Sequence, residues 1–575
     1  MTGTTKILVI GDDSRSFLTI VRSLGRAGQI VHIAPSNFRS PALGSRYIAA
    51  VHRLPPYLGD GTAWLAAVIA LWEAQAFDLA IPCDERSLLP FDAHRDLIEA
   101  RGWRVAIPDR RAVEVLFDKH ATRELATRLA VDVAPGRLLR PGDTAEGLAA
   151  EFGLPLVLKP RRSYGLDQLH ARGKVVIAHD VGYLARQLER VARSDSLVEG
   201  YVAGRGVGVS VLADRGIVLQ AFEHHRVHDE LAVGGSYYRR SAPLSLDLNA
   251  AVELMMAALD YTGVAMVEFR RNEATGAYAL LEVNARPWGS MPLPVGLGVD
   301  FPERWRRLLL DGERMPATTY EAGIYGRNLV RDLEFLMLEV KRQRSRPLSA
   351  VRTIGQWLGE LVRGLVQGEL SDTIVRDDVR PGLAELGGFI GYVAAKTLKR
   401  LPGVEHLNRH WARRRALRLL GRRMATGAAG RMVFVCSGNI CRSPFAKKLL
   451  QARLIGPASP LQVDSAGTLP VEGREPPADA QIAAGAFGID LVSHRSHWFD
   501  ERTAATSDVV VVFDEINESA TLDRYPDLAG RVVLLASLTN DGAVIADPYG
   551  HDRESFYEVY RRIDQALDRL LGLAR

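Results

Sequence analysis

Apolar and polar positions along this chain follow two periods, one near two residues and one near 3.6. Residues 6–10 (KILVI) form an apolar, β-branched run followed by the polar turn GDD. From Ser16 to Ala27 the apolar positions recur at helical spacing, and a second short run, VHIA, follows. This predicts strand, turn, helix and strand. DLAIPCDE near residue 80 and WRVAIPD near 105 predict further buried strands. Strands alternating with helices predict a parallel α/β sheet over roughly 1–110. The first turn carries only Gly11, so it lacks the G-x-G-x-x-G of a dinucleotide fold.

Between 111 and 315, helical stretches alternate with PLVLKP, VGVSVLA, AMVEFRR and YALLEVN. From about 330 to 425 the spacing is mostly helical. The glycine-containing joint ATGAAGR (425–431) precedes a new apolar strand, MVFVC, and is the main predicted boundary. The remainder again reads as α/β.

Composition narrows the class. The chain has 575 residues, 47% apolar and 25% charged, as in ordinary globular proteins. Three cysteines, Cys83, Cys436 and Cys441, are too few for a disulfide framework and match no zinc spacing. The longest suspicious apolar run, Leu386 to Ala395, is far shorter than the ~20 residues that span a bilayer. The start, MTGTTKILVIGDD, reads as strand and turn rather than signal peptide, so a cytoplasmic location is expected. Net charge is +5, but Lys396 to Arg431 holds eleven Lys/Arg against one acid, Glu405. The basicity is local, which argues against a nucleic-acid partner. Within that stretch, WARRRALRLLGRR (411–423) can form a basic amphipathic helix with Trp411, Leu417 and Leu420 on its apolar side. A linker helix is favoured there over a membrane-surface contact or a polyanion site.

The chemistry concentrates in VFVCSGNICRSPFAKKLL (433–450). A strand ends at Cys436 and a helix begins near Ser443. The intervening residues can curl so that backbone N–H groups converge as an anion nest. That field favours the thiolate of Cys436. Arg442 can grip two phosphoryl oxygens as a fork, which a lysine cannot.

Together with DSAGT (464–468), GIDLVSHRS (488–496), SDVVVVFDEIN (507–517) and ADPYG (546–550), this segment resembles the low-molecular-weight protein-tyrosine-phosphatase family over roughly 431–575. The resemblance implies Cys436 as nucleophile, a phosphocysteine intermediate, and Arg442 stabilising the transferred group. It implies Asp547 as general acid and then base, Ser443 as hydrogen-bond partner of the thiolate, and Asn439 as keeper of the loop's shape. No metal or other cofactor is implied for this reaction. For Cys441 it implies a reversible disulfide with Cys436 under oxidation; a small buried filler is the other reading. Val471 stands about where many relatives carry an aromatic wall, leaving Tyr549 to line the slot. The substrate is thus a phosphotyrosine protein or another phosphomonoester. No cysteine follows Cys441, against thioredoxin-coupled arsenate reduction.

FDKHATRELA contains Lys119, LPLVLKP contains Lys159, and LVEGYVAGRGVGVSVL contains Glu199 and Val202. VEFRR and LLEVNARPWG contain Glu268, Glu282, Asn284 and Arg286. With these motifs in this order, roughly residues 1–315 are similar to ATP-grasp enzymes. Glu282 and Asn284 alternate along a strand and share a face. Two carboxylates and an amide oxygen suit Mg²⁺. The resemblance implies that Lys119 and Lys159 hold ATP phosphates and that Glu199 to Val202 meet adenine. Arg286 would contact phosphate, and Glu268, Glu282 and Asn284 would bind Mg²⁺. A carboxylate would become an acyl phosphate attacked by an amine, both substrates being unknown. The alternative is a phosphatase regulated by a non-catalytic ATP-binding module. Two features depart from the pattern: RRSYGLDQ (161–168) has one glycine in the lid, and Arg205 stands where an acidic ribose contact is common. EHHRVHDELAVGGSYYRRS (223–241) borders the acceptor side or is a solvated loop.

The expected architecture is a multidomain α/β protein. A parallel α/β pre-domain (1–110) precedes an ATP-grasp domain of two α+β subdomains (111–315). A helical basic connector (316–430) leads to a doubly wound parallel α/β phosphatase domain (431–575).

Overall fold

The computed structural model describes residues 3–191, 195–228, 237–398, 430–454, 461–538 and 544–572. The basic segment 411–423 and part of the glycine loop, 229–236, lie outside the described residues. The chain forms two compact units: residues 1–36 with 41–389, and 37–40 with 390–575.

The first unit opens with a four-stranded parallel sheet in the order Ile48–Val51, Ile30–Ala34, Lys6–Ile10, Leu79–Pro82. The strands are apolar on both faces because helices cover both. Ile7 and Val9 meet Phe17, Ile20, Val21 and Leu24 of the helix Ser16–Arg26 on one side. Leu8 meets Trp64, Val68 and Trp72 of the helix Thr62–Gln75 on the other. The predicted strand near 105 is reduced to a single parallel bridge, Ala80 to Val105.

Two antiparallel layers follow. One sheet runs Gly136–Leu138, Ser196–Gly200, Leu156–Pro160, Val176–Ala178. The other begins Tyr278–Asn284, Gly263–Arg271, Arg205–Asp214, Ile217–His228, Tyr238–Ala242. It continues with Tyr325–Arg327 and, paired parallel to that strand, Leu370–Ser371.

Those last two strands change the picture of the connector. The helical spacing after 330 does form Leu329–Arg342, Pro347–Gln367 and Arg380–Leu398. Through residue 389, however, the segment belongs to the first unit rather than linking it to the next. Buried ion pairs fix it there. Arg239 holds Asp372 through both of its terminal nitrogens, Nη1 and Nη2, and Arg22 Nε donates to Asp378 at 2.9 Å. Two- and three-residue strands leave no periodicity for a sequence to display.

The second unit is a doubly wound parallel sheet in the order Gln462–Gly467, Arg431–Cys436, Val509–Val512, Val532–Leu534. Met432 and Phe434 point to one core, with Phe445 and Tyr560 stacked 3.9 Å apart between the helices Arg442–Arg453 and Arg553–Gly572. Val433 and Val435 point to the other, against Phe499 and Tyr525. Each such buried side chain contributes about 1.5–3 kcal/mol over exposure. This two-sided burial drives the central strand inward and delivers Cys436 to the sheet's carboxyl edge, where open α/β sheets place ligands. No helix among the described residues is long and apolar enough to cross a membrane.

Candidate functional site

In the second unit, Cys436 ends its strand and Arg442 begins the next helix. The five residues between them form a tight loop around the cysteine sulfur. Ser443 Oγ lies 3.1 Å from Cys436 Sγ, and the Asn439 backbone N–H donates to that sulfur at 3.3 Å. Asn439 adopts a left-handed backbone (φ 51°), which asparagine tolerates better than most residues. Its side chain holds that conformation from both ends. Nδ2 donates to Ser443 Oγ at 2.8 Å, and Oδ1 accepts the His497 N–H at 2.8 Å. Its carbonyl faces His494 Nε2 at 2.7 Å, so Nε2 carries the proton. Burial lowers the His494 pKa, which keeps the imidazole neutral. Gly467, from the SAGT segment, allows the loop's close approach: a Cβ there would lie 2.9 Å from the Ser437 carbonyl oxygen.

Arg442 is fully buried. Nη1 donates to Asp514 at 2.6 Å and to the Ile545 carbonyl at 3.0 Å, while Nη2 donates to Asp547 at 2.7 Å. Nε has no hydrogen-bond partner among the described residues. Burial works against the guanidinium's charge, but Cys436, Asp547 and Asp514 outweigh it and raise its pKa. A buried cationic N–H left open beside a cysteine sulfur and an anion-type loop is a place for an oxyanion. Burial pushes the Cys441 thiol well above its ordinary value, and the charges of Cys436 and Asp547 push the same way. Cys441 is therefore not the reactive thiol of the pair at neutral pH.

Three contributors escape sequence reasoning. Asp514 both caps the helix Glu515–Arg524 and anchors Arg442. The only signal for it is an acid directly after a buried strand. Arg474 Nη2 donates to the Gly438 carbonyl at 3.0 Å, and the Asn517 side chain lies 3.0 Å from Ser437 Oγ. Val471 is tied through its backbone to Leu469 and Ser496, and Tyr549 stands exposed beyond Asp547.

In the first unit, Lys119, Glu199, Glu282 and Asn284 line one cavity between the two antiparallel sheets. Lys119 Nζ donates to Ser163 Oγ at 2.9 Å. Lys159 Nζ lies 2.6 Å from Glu199 Oε2 and donates to the Leu281 carbonyl at 3.3 Å, bridging the sheets. Burial lowers the Lys119 pKa, partly countered by Glu282 and Glu85. Burial also opposes the charge of Glu282, but Lys119, Lys159 and Arg286 overcome it and lower its pKa. Arg286 turns to Glu85, 3.2 Å away, on the helix Glu85–Ala93. Val202 lies just past the strand Ser196–Gly200 and does not line the cavity.

Glu268 and Glu282 are directly opposed across antiparallel strands, with a bulge after Glu268. Arg226 holds Glu268 Oε2 at 2.6 Å, a partner that sequence alone does not disclose. Asn284 Nδ2 lies 3.3 Å from Glu282 Oε1. Among the described residues no group of three or more His, Cys, Asp or Glu is arranged for a metal. Two opposed carboxylates and one amide do fit Mg²⁺ in its usual mode, which completes its shell with water and phosphate oxygens.

The family model described as "Low molecular weight phosphotyrosine protein phosphatase" matches residues 431–574. The chain is 31% identical over 137 residues to the probable low molecular weight protein-tyrosine-phosphatase EpsP of Ralstonia nicotianae, covering 24% of this chain and 90% of that protein. It is 34% identical over 158 residues to the low molecular weight protein-tyrosine-phosphatase of Streptomyces coelicolor, covering 25% and 93%. Among solved structures it is similar to an N5-carboxyaminoimidazole synthetase from Staphylococcus aureus complexed with ADP. That likeness has a TM-score of 0.46 at 16% identity, over 60% of this chain and 87% of the other.

Proposed function

Through residues 431–574 the chain belongs to the low molecular weight phosphotyrosine protein phosphatase family, and on that premise we propose that its Cys436 loop hydrolyses aryl phosphomonoesters, phosphotyrosine in proteins foremost, through a phosphocysteine. The observation that carries this reading is the division of labour on Arg442. Asp514 and the Ile545 carbonyl anchor Nη1, while the buried Nε and the Asp547-bound Nη2 remain for phosphoryl oxygens.

Cys436 Sγ attacks phosphorus, and the S–P bond forms as the P–O bond to the leaving group breaks. Substrate oxygens take Nη2 from Asp547; the released carboxylate takes up the proton of the phosphomonoester monoanion and, as the carboxylic acid, passes it to the leaving oxygen. Water then attacks phosphorus, Asp547 takes its proton, the S–P bond breaks, and inorganic phosphate departs. Ser443 steadies the sulfur as leaving group, and Asn439 keeps the loop's N–H groups convergent. Cys436→Ser should abolish hydrolysis of p-nitrophenyl phosphate, with or without a metal chelator. Activity retained in that variant would end the reading.

The first unit we read as an ATP-grasp module that binds Mg-ATP and activates a carboxylate as an acyl phosphate for attack by an amine. Support comes from Lys119, Lys159, Glu199, Glu282 and Asn284 meeting between two sheets. In this reading Lys119 and Lys159 take phosphate oxygens, Arg286 approaches the same group, and Glu199 to Val202 face the adenine. Glu268, Glu282 and Asn284 would hold Mg²⁺, which neutralises phosphate charge when bound. Arg226 already occupies one oxygen of Glu268, which favours the second reading of ATP as a bound regulator. ADP release over a panel of carboxylates and amines separates the two. Tight Mg-ATP binding with no turnover supports the regulator.

A further inference from the structure

The helices Leu329–Arg342 and Pro347–Gln367 form an antiparallel hairpin on the edge of the first unit's large sheet. The second helix is packed by one face only. Trp357 donates to Asp332 at 2.7 Å, Glu360 meets His228 at 3.0 Å, and Arg363 donates to the Tyr238 hydroxyl at 3.0 Å. On a 100° wheel these three lie within one arc. The arc opposite carries Leu348, Val351, Leu358, Val362 and Val366. They are 85%, 67%, 51%, 61% and 80% exposed, far beyond the scattered apolar exposure of an ordinary surface. The stripe runs the length of a 21-residue helix.

Charge identifies what covers it. The end of the first helix and the turn after it, KRQRSR (341–346), carry four cations and no acid, Arg342 being paired with Glu339 one turn back. The sole acid of the second helix, Glu360, is on the packed face with His228. Arg352 borders the open stripe on the side toward the packed face. A second copy docked with its helix parallel would bring the same cationic rim against this one. The chain's own segment after the third helix is still more basic, +10 over 396–431. Both put like charge on like. An anionic bilayer puts opposite charge on the rim and hydrocarbon on the stripe.

We propose that this hairpin is a monotopic membrane-docking surface that lies on anionic lipid, with the Pro347–Gln367 stripe in the acyl boundary and the 341–346 turn among the headgroups. The surface shares no residue with the cavity of the first unit and is independent of either catalytic reading. No described helix can cross a bilayer, so the contact is peripheral and salt-sensitive.

The test is co-flotation of the full chain with vesicles of phosphatidylcholine, with and without about 30 mol% phosphatidylglycerol. The expected result is flotation with the anionic vesicles only. Val351→Glu/Val362→Glu should lower the bound fraction about tenfold or more at an unchanged thermal melt. Should that variant melt early, Leu348→Gln/Val366→Gln, at the more exposed ends, takes its place. Arg344→Glu/Arg346→Glu should weaken anionic binding alone. No flotation of the native chain overturns the proposal. So does flotation undiminished by the stripe substitutions, which would assign binding to another segment such as 399–429. A dimer seen by light scattering that the same substitutions dissociate, without lipid binding, assigns the stripe to a second copy and overturns it too.

Discussion

Arg442 and Asp547 stand 105 positions apart in the chain, yet Nη2 of one donates to Oδ2 of the other at 2.7 Å. In the proposed mechanism this pair stores the leaving-group acid on the cation that takes the phosphoryl group, and substrate binding would exchange one anion for another on a guanidinium that Asp514 keeps in place.

Arg442→Lys should lower kcat on p-nitrophenyl phosphate by about 10²–10³-fold, roughly 3–4 kcal/mol of lost transition-state stabilisation. A lysine ammonium keeps the charge but cannot reach Asp514, Ile545 and the phosphoryl oxygens together. Steady-state kinetics with a parallel thermal melt checks this. A loss below about fivefold would mean that positive charge alone is what the loop requires.

Asn439 separates backbone geometry from side-chain bonding. Asn439→Gly accepts the left-handed φ but deletes the bonds to Ser443 and to the His497 N–H. Asn439→Ala deletes the same bonds and adds about 1 kcal/mol of left-handed strain. Both should unfold earlier than the native unit, by roughly 1–3 kcal/mol for the buried groups left unpaired. The alanine variant should be the worse of the two. Urea unfolding of residues 430–575 measures the order, and equal losses would show that the left-handed turn relaxes at no cost.

The parts of this loop that a sequence can disclose are those that act within a few residues. Cys436, Asn439, Arg442 and Ser443 share one strand–loop–helix junction, so their spacing alone bears on their arrangement. Asp514, His494 and Arg474 act on the same loop from 36 to 72 positions away. Only the folded sheet brings them near, and each has a local explanation of its own, such as a helix cap. The same holds in the first unit. Alternation puts Glu282 and Asn284 on one face, but the Glu268–Arg226 pair depends on strand register and on a bulge. The parallel and antiparallel sheets were legible because their strands are apolar runs of several residues; Tyr325–Arg327 and Leu370–Ser371 are too short to show any period.

His494 makes the phosphatase unit acid-sensitive in a defined direction. Burial lowers its folded-state pKa below the unfolded value near 6.5. The unfolded chain thus binds a proton that the folded one refuses. The stability this contributes is fully present above about pH 6.5 and is lost as pH falls toward the folded pKa. His494→Gln keeps an N–H for the Asn439 carbonyl but cannot titrate. Between pH 7.5 and 5.5 the native protein should lose more of its urea midpoint than the glutamine variant. Identical pH slopes would show that other groups account for the sensitivity.

Arg22 and Asp378 test whether the chain beyond the large sheet is tether or scaffold. Both side chains are almost wholly buried, and Asp378 also accepts from Ser45 Oγ and the Arg46 N–H. Burial lowers the Arg22 pKa despite its partner, so the guanidinium depends on that carboxylate to stay charged at low cost. Asp378→Ala leaves a buried cation unpaired and should destabilise the first unit by about 3–5 kcal/mol. Replacing both residues, Arg22→Met with Asp378→Ala, removes the stranded charge and should recover part of the loss. The readout is the urea transition of a fragment ending at residue 398. Hydrolysis of p-nitrophenyl phosphate by the full chain should stay unchanged, since neither residue belongs to the second unit. A shift under about 1 kcal/mol would place the pair among surface-like contacts. It would also return residues 369–385 to the role of a connecting segment.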